Sequence, residues 1–397
     1  MLNIKELKNR INEINIESKN ILLKEIPKKE LKLFHKILKR CLKELNVIVK
    51  GSRALNNYMK DSIYTKKELI YVDYDIFSYN YKKDLIYITK QLELAGLTHI
   101  TCKVLPFKSD ISQLHFYKNP IIDIEVITKK FLNKYKCKKI NGIEYISPEL
   151  YKIDLYSILS QPTKINMNVY EKAYNRLELL EKNYKYDYNL KDINKDLLKS
   201  TLNKDCQECI DYILSILNDN TIIIGNYVFN KLLKENIKIE YLELLTENLD
   251  YYVNKLKSKY KNRIFIKEYK KILYTMGNYN VLYLDRKPIL ILWDLRNNTS
   301  YTIKDGEKLC SRYYLKFYYN FLAFHNFINN IFHNRNYYYY LLSNINTKLL
   351  PNKKSMGNVN YDTIEQYNNI RTSKRKDFFS YNSYFNTYNE NKLVKKK

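Results

Sequence analysis

Val47-Ile48-Val49-Lys50-Gly51-Ser52-Arg53-Ala54 runs from an apolar β-branched triplet into a glycine-serine pair and on into helix-forming residues. The triplet favours a strand. Gly51 ends it, and Ala54, Leu55 and Tyr58 continue at helical spacing. The stretch therefore reads as strand, tight turn and helix. Such a turn aims the unpaired N–H groups of a helix N-terminus at an anion, and the glycine lets the backbone approach closely. The Ser52 hydroxyl adds one donor suited to a phosphate oxygen.

Two further stretches complement it. In Val72-Asp73-Tyr74-Asp75-Ile76, inside a strand expected over Leu69 to Phe77, both carboxylates fall on one face and the apolar residues on the other. Side by side, two carboxylates repel each other unless a cation sits between them. Mg²⁺ is a hard ion that takes oxygen ligands, and a pair of such ions holds a triphosphate while activating a hydroxyl. A third carboxylate, Asp123, interrupts the apolar run Ile121 to Ile127 on a later expected strand, where a lone buried charge is costly.

The 397 residues suit two or three domains, and 45% hydrophobic content is enough for real cores. The formal net charge is +27. Abundant Lys, Asn, Ile and Tyr beside only 7 Gly and 7 Pro point to AT-rich codon usage, which explains part of the basicity. The failure of acidic residues to match the lysines still favours a polyanionic partner. No run of eighteen apolar residues suggests a membrane span, and the N-terminus has no signal-peptide pattern, so an intracellular chain is expected. The 6 cysteines are scattered and read as reduced thiols. The Cys206-Gln-Glu-Cys209 pair has no matching second pair and reads as a helical turn.

Helical periodicity is expected over residues 4–46, with Pro27 opening the second of two helices. After Gly51 a helix is expected over Asp84 to Leu94, strands over Ile100 to Leu105, Gln113 to Tyr117 and Ile121 to Ile127, and a hairpin over Lys138 to Ile146. Residues 148–217 are strongly helical. A strand–helix pattern resumes at Thr221, and a long aromatic helix is expected over Lys308 to His333. Beyond Leu350 the basic, Tyr-studded tail is expected to be disordered.

Gly51-Ser52, Asp73-x-Asp75 and Asp123 together resemble the signature of the polymerase-β nucleotidyltransferase superfamily. Val49 to Ala54, Val72 to Ile76, and the helical segment Tyr151 to Pro162 followed by Glu171 to Leu177 are similar to the viral poly(A) polymerases of poxvirus, asfarvirus and mimivirus-like groups. The resemblance implies an α+β fold: a polymerase-β-like palm with helical flanks, then a second, degenerate nucleotidyltransferase-like domain. It implies template-independent transfer of AMP from ATP to RNA 3′ ends in viral mRNA polyadenylation. Two Mg²⁺ or Mn²⁺ ions are expected on Asp73, Asp75 and Asp123, and nucleotide contacts from Gly51, Ser52, Arg53 and Lys152. Arg53 departs from the pattern as a bulky neighbour of the turn, and either contacts phosphate or faces solvent. The implied partners are ATP, an RNA 3′ end and either a second copy or a methyltransferase-like processivity subunit. The implied setting is the viral factory of the host cytoplasm, and the virion. Another RNA or small-molecule nucleotidyltransferase, transferring CMP or UMP, and a catalytically dead RNA-binding subunit stay open as alternatives.

The expected domains are a helical region (1–46), a catalytic domain with helical extension (47–200), an inactive copy (201–350) and the tail (351–397). The copy rests on Thr221 to Asn226 paralleling Val47 to Ser52, Glu243 to Asn248 paralleling Asp75 to Asn80, and Pro288 to Ile291 paralleling Pro120 to Asp123. This places Tyr241 at the position of Asp73 and Ile291 at that of Asp123, so two of three acids are lost. Tyr337 to Tyr340 read as packing residues, and His115 and His325 as structural.

Overall fold

Apolar residues at helical spacing make α1 (Lys28–Glu44) one-sided: Leu31, Phe34, Leu38, Cys41 and Leu42 are all buried along one face. The structure, a computed structural model, describes residues 26–345 except 60–62, 66–67, 105–110, 130–137, 161–166, 200–203, 271–275, 296–298 and 326–333. The expectations for residues 4–25 and for the tail lie outside the described residues.

In the first unit, which runs to Tyr151, the α1 face packs on a sheet of seven strands. These are β1 (Ile48–Lys50), β2 (Tyr74–Ser78), β3 (Ile100–Val104), β4 (Ile111–Phe116), β5 (Asn119–Val126), β6 (Lys138–Ile140) and β7 (Ile143–Tyr145). Their order across the sheet is β3-β4-β5-β2-β1-β7-β6. β1 leads through Gly51 into α2 (Gly51–Tyr58), and α3 (Tyr81–Leu94) follows β2. Strand alternation gives the sheet two characters. Val49, Tyr74, Ile76, Leu114, Ile122 and Ile124 join Phe34, Leu38, Leu85, Ile88 and Leu92 in one core. The alternate residues Lys50, Asp75, Gln113 and Asp123 fall on the opposite face.

The strand expected from Leu69 begins only at Tyr74, after a 3-10 turn over Glu68–Tyr71. The cause is Arg53. Its Nε donates to the Asp73 carbonyl at 3.1 Å, and its Nη2 donates to the carbonyls of Leu69 at 2.8 Å and Val72 at 2.6 Å. Carbonyls taken by the guanidinium are withdrawn from any ladder, so Asp73 stands just ahead of the strand.

The second unit starts at Lys152, inside α4 (Pro148–Ser160). It continues through α5 (Met167–Asn183) and α6 (Lys204–Ser215), which holds Cys206 and Cys209 on one helix. The division falls there and not after residue 200. The helical extension bonds to the later part of the chain: Glu181 pairs with Lys316 at 3.3 Å and accepts from Tyr156, and the Ser300 amide donates to the Ser160 carbonyl. Helical periodicity alone does not reveal which sheet a helix will cover.

A second seven-stranded sheet follows: β8 (Thr221–Ile224), β9 (Leu242–Thr246), β10 (Ile264–Tyr269), β11 (Tyr279–Leu284), β12 (Lys287–Asp294), β13 (Tyr301–Lys304) and β14 (Glu307–Cys310), with α7 (Gly225–Leu233) after β8 and α8 (Leu249–Tyr260) after β9. Its order is β10-β11-β12-β9-β8-β14-β13, the first sheet with every strand advanced by seven. Details recur as well. The ladder slips at Leu114/His115 in one sheet and at Leu282/Tyr283 in the other. The hairpins turn at Tyr117-Lys118 and at Asp285-Arg286, all four with positive φ. The long helix expected from Lys308 starts at Arg312 as α9 (Arg312–His325), because residues 307–310 pair as a strand with β13 and Ser311 caps the helix, its Oγ accepting from the Tyr314 amide. The rest of that expected helix, to His333, and the His325 side chain lie outside the described residues. On α10 (Arg335–Asn344), Tyr337, Tyr338 and Tyr339 are buried, in keeping with packing. The core here is aromatic: Trp293 stacks on Tyr279 with ring centroids 4.2 Å apart and donates its Nε1–H to the Tyr318 hydroxyl. Among the described residues no helix is long and apolar enough to cross a membrane.

Candidate active site

On the polar face of the first sheet, register builds a row across four strands. Lys50 on β1 lies opposite Asp75 on β2, Asp75 opposite Asp123 on β5, and Asp123 opposite Gln113 on β4. Asp73 precedes the row by two residues. Gly51 adjoins it at φ +67°, a conformation that L side chains rarely adopt, and a Cβ there would stand 1.9 Å from Asp75 Oδ2. The turn thus lies directly against a carboxylate, with room for backbone only. Ser52 is buried in the first turn of α2.

The electrostatics follow from this crowding. Burial, then the charges of Asp75 and Asp73, push the Asp123 carboxyl up to about 7; the Gln113 hydrogen bond and the Lys50 charge oppose the shift. Gln113 Nε2 donates to Asp123 Oδ1 at 2.9 Å. The His115 ring lies 3.1 Å from Gln113 Oε1 and 3.0 Å from the Lys118 carbonyl; both are acceptors, and burial holds the imidazole below its usual pKa, so the neutral ring donates to one of them. Lys50 Nζ pairs with Glu125 Oε2 at 2.5 Å and lies over the Phe77 ring.

Two residues expected at the nucleotide have partners of their own. Arg53 is buried beneath the acidic face: it is committed to three loop carbonyls and lies 3.5 Å over the Tyr74 ring, neither solvent-facing nor turned to the mouth of the Gly51 bend. Lys152 belongs to the second unit, where it donates to the Tyr184 carbonyl and sits 4.0 Å over the Tyr186 ring. Gln113, Lys50 and Glu125 are members of the site that sequence reasoning missed.

Among the described residues no three His, Cys, Asp or Glu side chains already converge on one point to hold a metal ion. The donor chemistry of the row nevertheless fits a divalent cation. All three acids offer oxygen only, and the mutual repulsion that raises Asp123 is what a cation relieves.

All of these acids lie within residues 36–165, which match a family model described as the poly(A) polymerase catalytic subunit. Residues 36–165 are thus similar to a poly(A) polymerase catalytic subunit. No curated protein sequence matches the chain. In fold, the chain is similar to the crystal structure of the Megavirus polyadenylate synthase, with a TM-score of 0.66 and 19% identity over 94% of this chain and 74% of that one. At that identity the likeness is one of architecture.

Outside residues 36–165, the second sheet reproduces the frame of the site with one of its three acids, Glu243 in the place of Asp75. Ile224, Glu243, Ile291 and Val281 form the corresponding row. Gly225 adopts φ +73° against Glu243 as Gly51 does against Asp75. Tyr241 precedes the strand where Asp73 does. Glu243 accepts from the Tyr318 hydroxyl, and Asn226, at the position of Ser52, bonds to Tyr319 and Tyr337. Aromatic side chains occupy the space that a phosphate turn leaves open.

Proposed function

We propose that the chain is a polynucleotide adenylyltransferase that extends RNA 3′ ends with AMP from ATP, with Asp73, Asp75 and Asp123 as its catalytic acids. The observation that carries this reading is the register pair Asp75–Asp123 beside the Gly51 bend, inside residues 36–165, which are similar to a poly(A) polymerase catalytic subunit. The RNA 3′-oxygen attacks the α-phosphate of ATP, a new P–O bond forms, and the bond to the bridging oxygen breaks as pyrophosphate leaves. Divalent cations, two Mg²⁺ or Mn²⁺ ions on Asp73, Asp75 and Asp123, would supply charge neutralisation of the triphosphate and acidification of the 3′-hydroxyl. The backbone N–H groups at Gly51 and Ser52 bind phosphate oxygens. Asp123 takes up the hydroxyl proton, with Gln113 holding one carboxylate oxygen in place. Lys50, held by Glu125, lies beside Asp75 at the bend that receives the triphosphate.

The finer expectations belong to the same proposal: viral mRNA as substrate, a viral factory in the host cytoplasm or the virion as setting, and a homodimer or a methyltransferase-like subunit as assembly. They rest on the resemblance to viral poly(A) polymerases. The test is primer extension by the pure chain on an oligoribonucleotide with Mg²⁺ or Mn²⁺ and each NTP separately. Wild type is expected to add AMP, and Asp75→Ala to lose extension with its circular dichroism unchanged. Preferred incorporation of CMP or UMP, or full extension by Asp75→Ala, refutes the assignment.

A further inference from the structure

The two sheets of this chain act as a pair of aligned specimens, one with all three acids and one that keeps only Glu243. Where strand, turn, bulge and hairpin coincide, a residue kept in both serves the fold. A residue lost together with the acids serves the site. The glycine is kept: Gly51 and Gly225 share their positive φ and their contact with the facing acid. The β4 position opposite Asp123 is not. It is Gln113 in the first sheet and Val281, fully buried, in the second, facing Ile291. A sheet of this topology therefore has no need of an amide there. The Gln113 Nε2 donates to Asp123 Oδ1 at 2.9 Å.

The amide is itself held. The His115 ring lies 3.1 Å from Gln113 Oε1 and 3.0 Å from the Lys118 carbonyl. Lys118 is fixed in a positive-φ hairpin turn, and His115 sits at the ladder slip beside Leu114. As the Nε2–H tautomer the imidazole donates to Gln113 Oε1, so the link runs from the ring through the amide to one carboxylate oxygen of Asp123. In the second sheet Tyr283 stands at the equivalent slip. Groups that orient a ligating carboxylate in this way set its usefulness to a cation, and losing one typically weakens affinity or activity about ten- to a hundredfold.

We propose that Gln113 is the positioning residue of Asp123, and that His115 fixes its amide. The proposal rests on the reading of Asp123 as a cation-binding acid. The test uses the full-length chain and two readouts. The first is Mn²⁺ binding, followed by the electron paramagnetic resonance of the free ion without RNA or ATP. The second is primer extension with kcat and the RNA KM separated. Gln113→Val installs the residue that the second sheet carries, so the melting temperature is expected to hold. Mn²⁺ affinity and kcat are both expected to fall about ten- to a hundredfold, with the RNA KM unchanged. Gln113→Glu keeps the shape and the acceptor facing His115 but turns the donor facing Asp123 into an acceptor, and is expected to lose at least as much activity. Adding His115→Ala to Gln113→Val is expected to cost nothing more, because the link is already broken. Unchanged Mn²⁺ affinity in folded Gln113→Val overturns the proposal, and so does unfolding of both Gln113 variants, which would make the amide a fold residue. Wild-type chain that binds Mn²⁺ but adds no AMP would sink the polymerase reading alone.

Discussion

Replacing Gly51 with alanine tests the contact on which the site is built. The new Cβ would stand 1.9 Å from Asp75 Oδ2, about 1.5 Å inside ordinary van der Waals contact. Since φ is +67°, relaxation at residue 51 itself is also unfavourable, at roughly 1–2 kcal/mol for an L side chain. Something must therefore shift, and the soft element is the Asp75 carboxylate. Displacing a reacting group by about 1 Å costs on the order of a hundredfold in rate. Gly51→Ala is accordingly expected to lose about a hundredfold in kcat for primer extension and roughly 1–2 kcal/mol in stability. Gly225→Ala supplies the control. Its Cβ would fall 1.6 Å from Glu243 Oε2, so a similar loss of stability is expected with kcat nearly intact. Single-turnover extension and urea unfolding of both variants measure the two effects. A Gly51→Ala enzyme within twofold of wild type, or a Gly225→Ala enzyme as impaired as Gly51→Ala, would refute the reasoning.

Arg53→Lys loses the planar fork and leaves buried carbonyls of Leu69, Val72 and Asp73 short of donors; a loss of about 2–4 kcal/mol in urea unfolding is expected. Unchanged stability with a raised ATP KM would instead put the guanidinium on the triphosphate. Burial raises the Glu243 carboxyl from 4.5 to about 7, with Tyr318 and the Asn226 backbone opposing. The folded state then holds a proton that the unfolded chain releases, so stability falls as pH rises from about 4.5 to about 7. Thermal unfolding across that window should show a shallower decline in Glu243→Gln than in wild type, the remaining slope including Asp123; identical slopes would remove Glu243 from the account.

The acids were legible because their signals are local. Asp75 alternates with apolar neighbours along β2, and Asp123 interrupts an apolar run, whereas Asp73, expected in the same strand, stands just ahead of it. Gln113 was invisible for the opposite reason: its importance exists only once β4 folds back on β5 at Tyr117-Lys118 and a ladder slip fixes which residue meets Asp123. Arg53 misled through proximity. It lies next to the phosphate turn in the chain, but two residues of helix rotate a side chain by about 200°, carrying the guanidinium onto the Tyr74 ring and the carbonyls ahead of β2. The break between Leu69 and Tyr74 followed from that same buried arginine, a tertiary effect that no strand propensity encodes. The second copy was readable from three short matches, because topology was kept where chemistry was not; the boundary at Tyr151/Lys152 was not readable, since helix patterns carry no address.

The chain contains a single tryptophan, and it is Trp293, enclosed in the aromatic core of the second unit. Light absorbed at the red edge of the protein spectrum therefore excites one known place. Its emission will shift when that unit opens and stay silent while only the first unit melts, so comparison with far-ultraviolet ellipticity separates the unfolding of the two halves without any label.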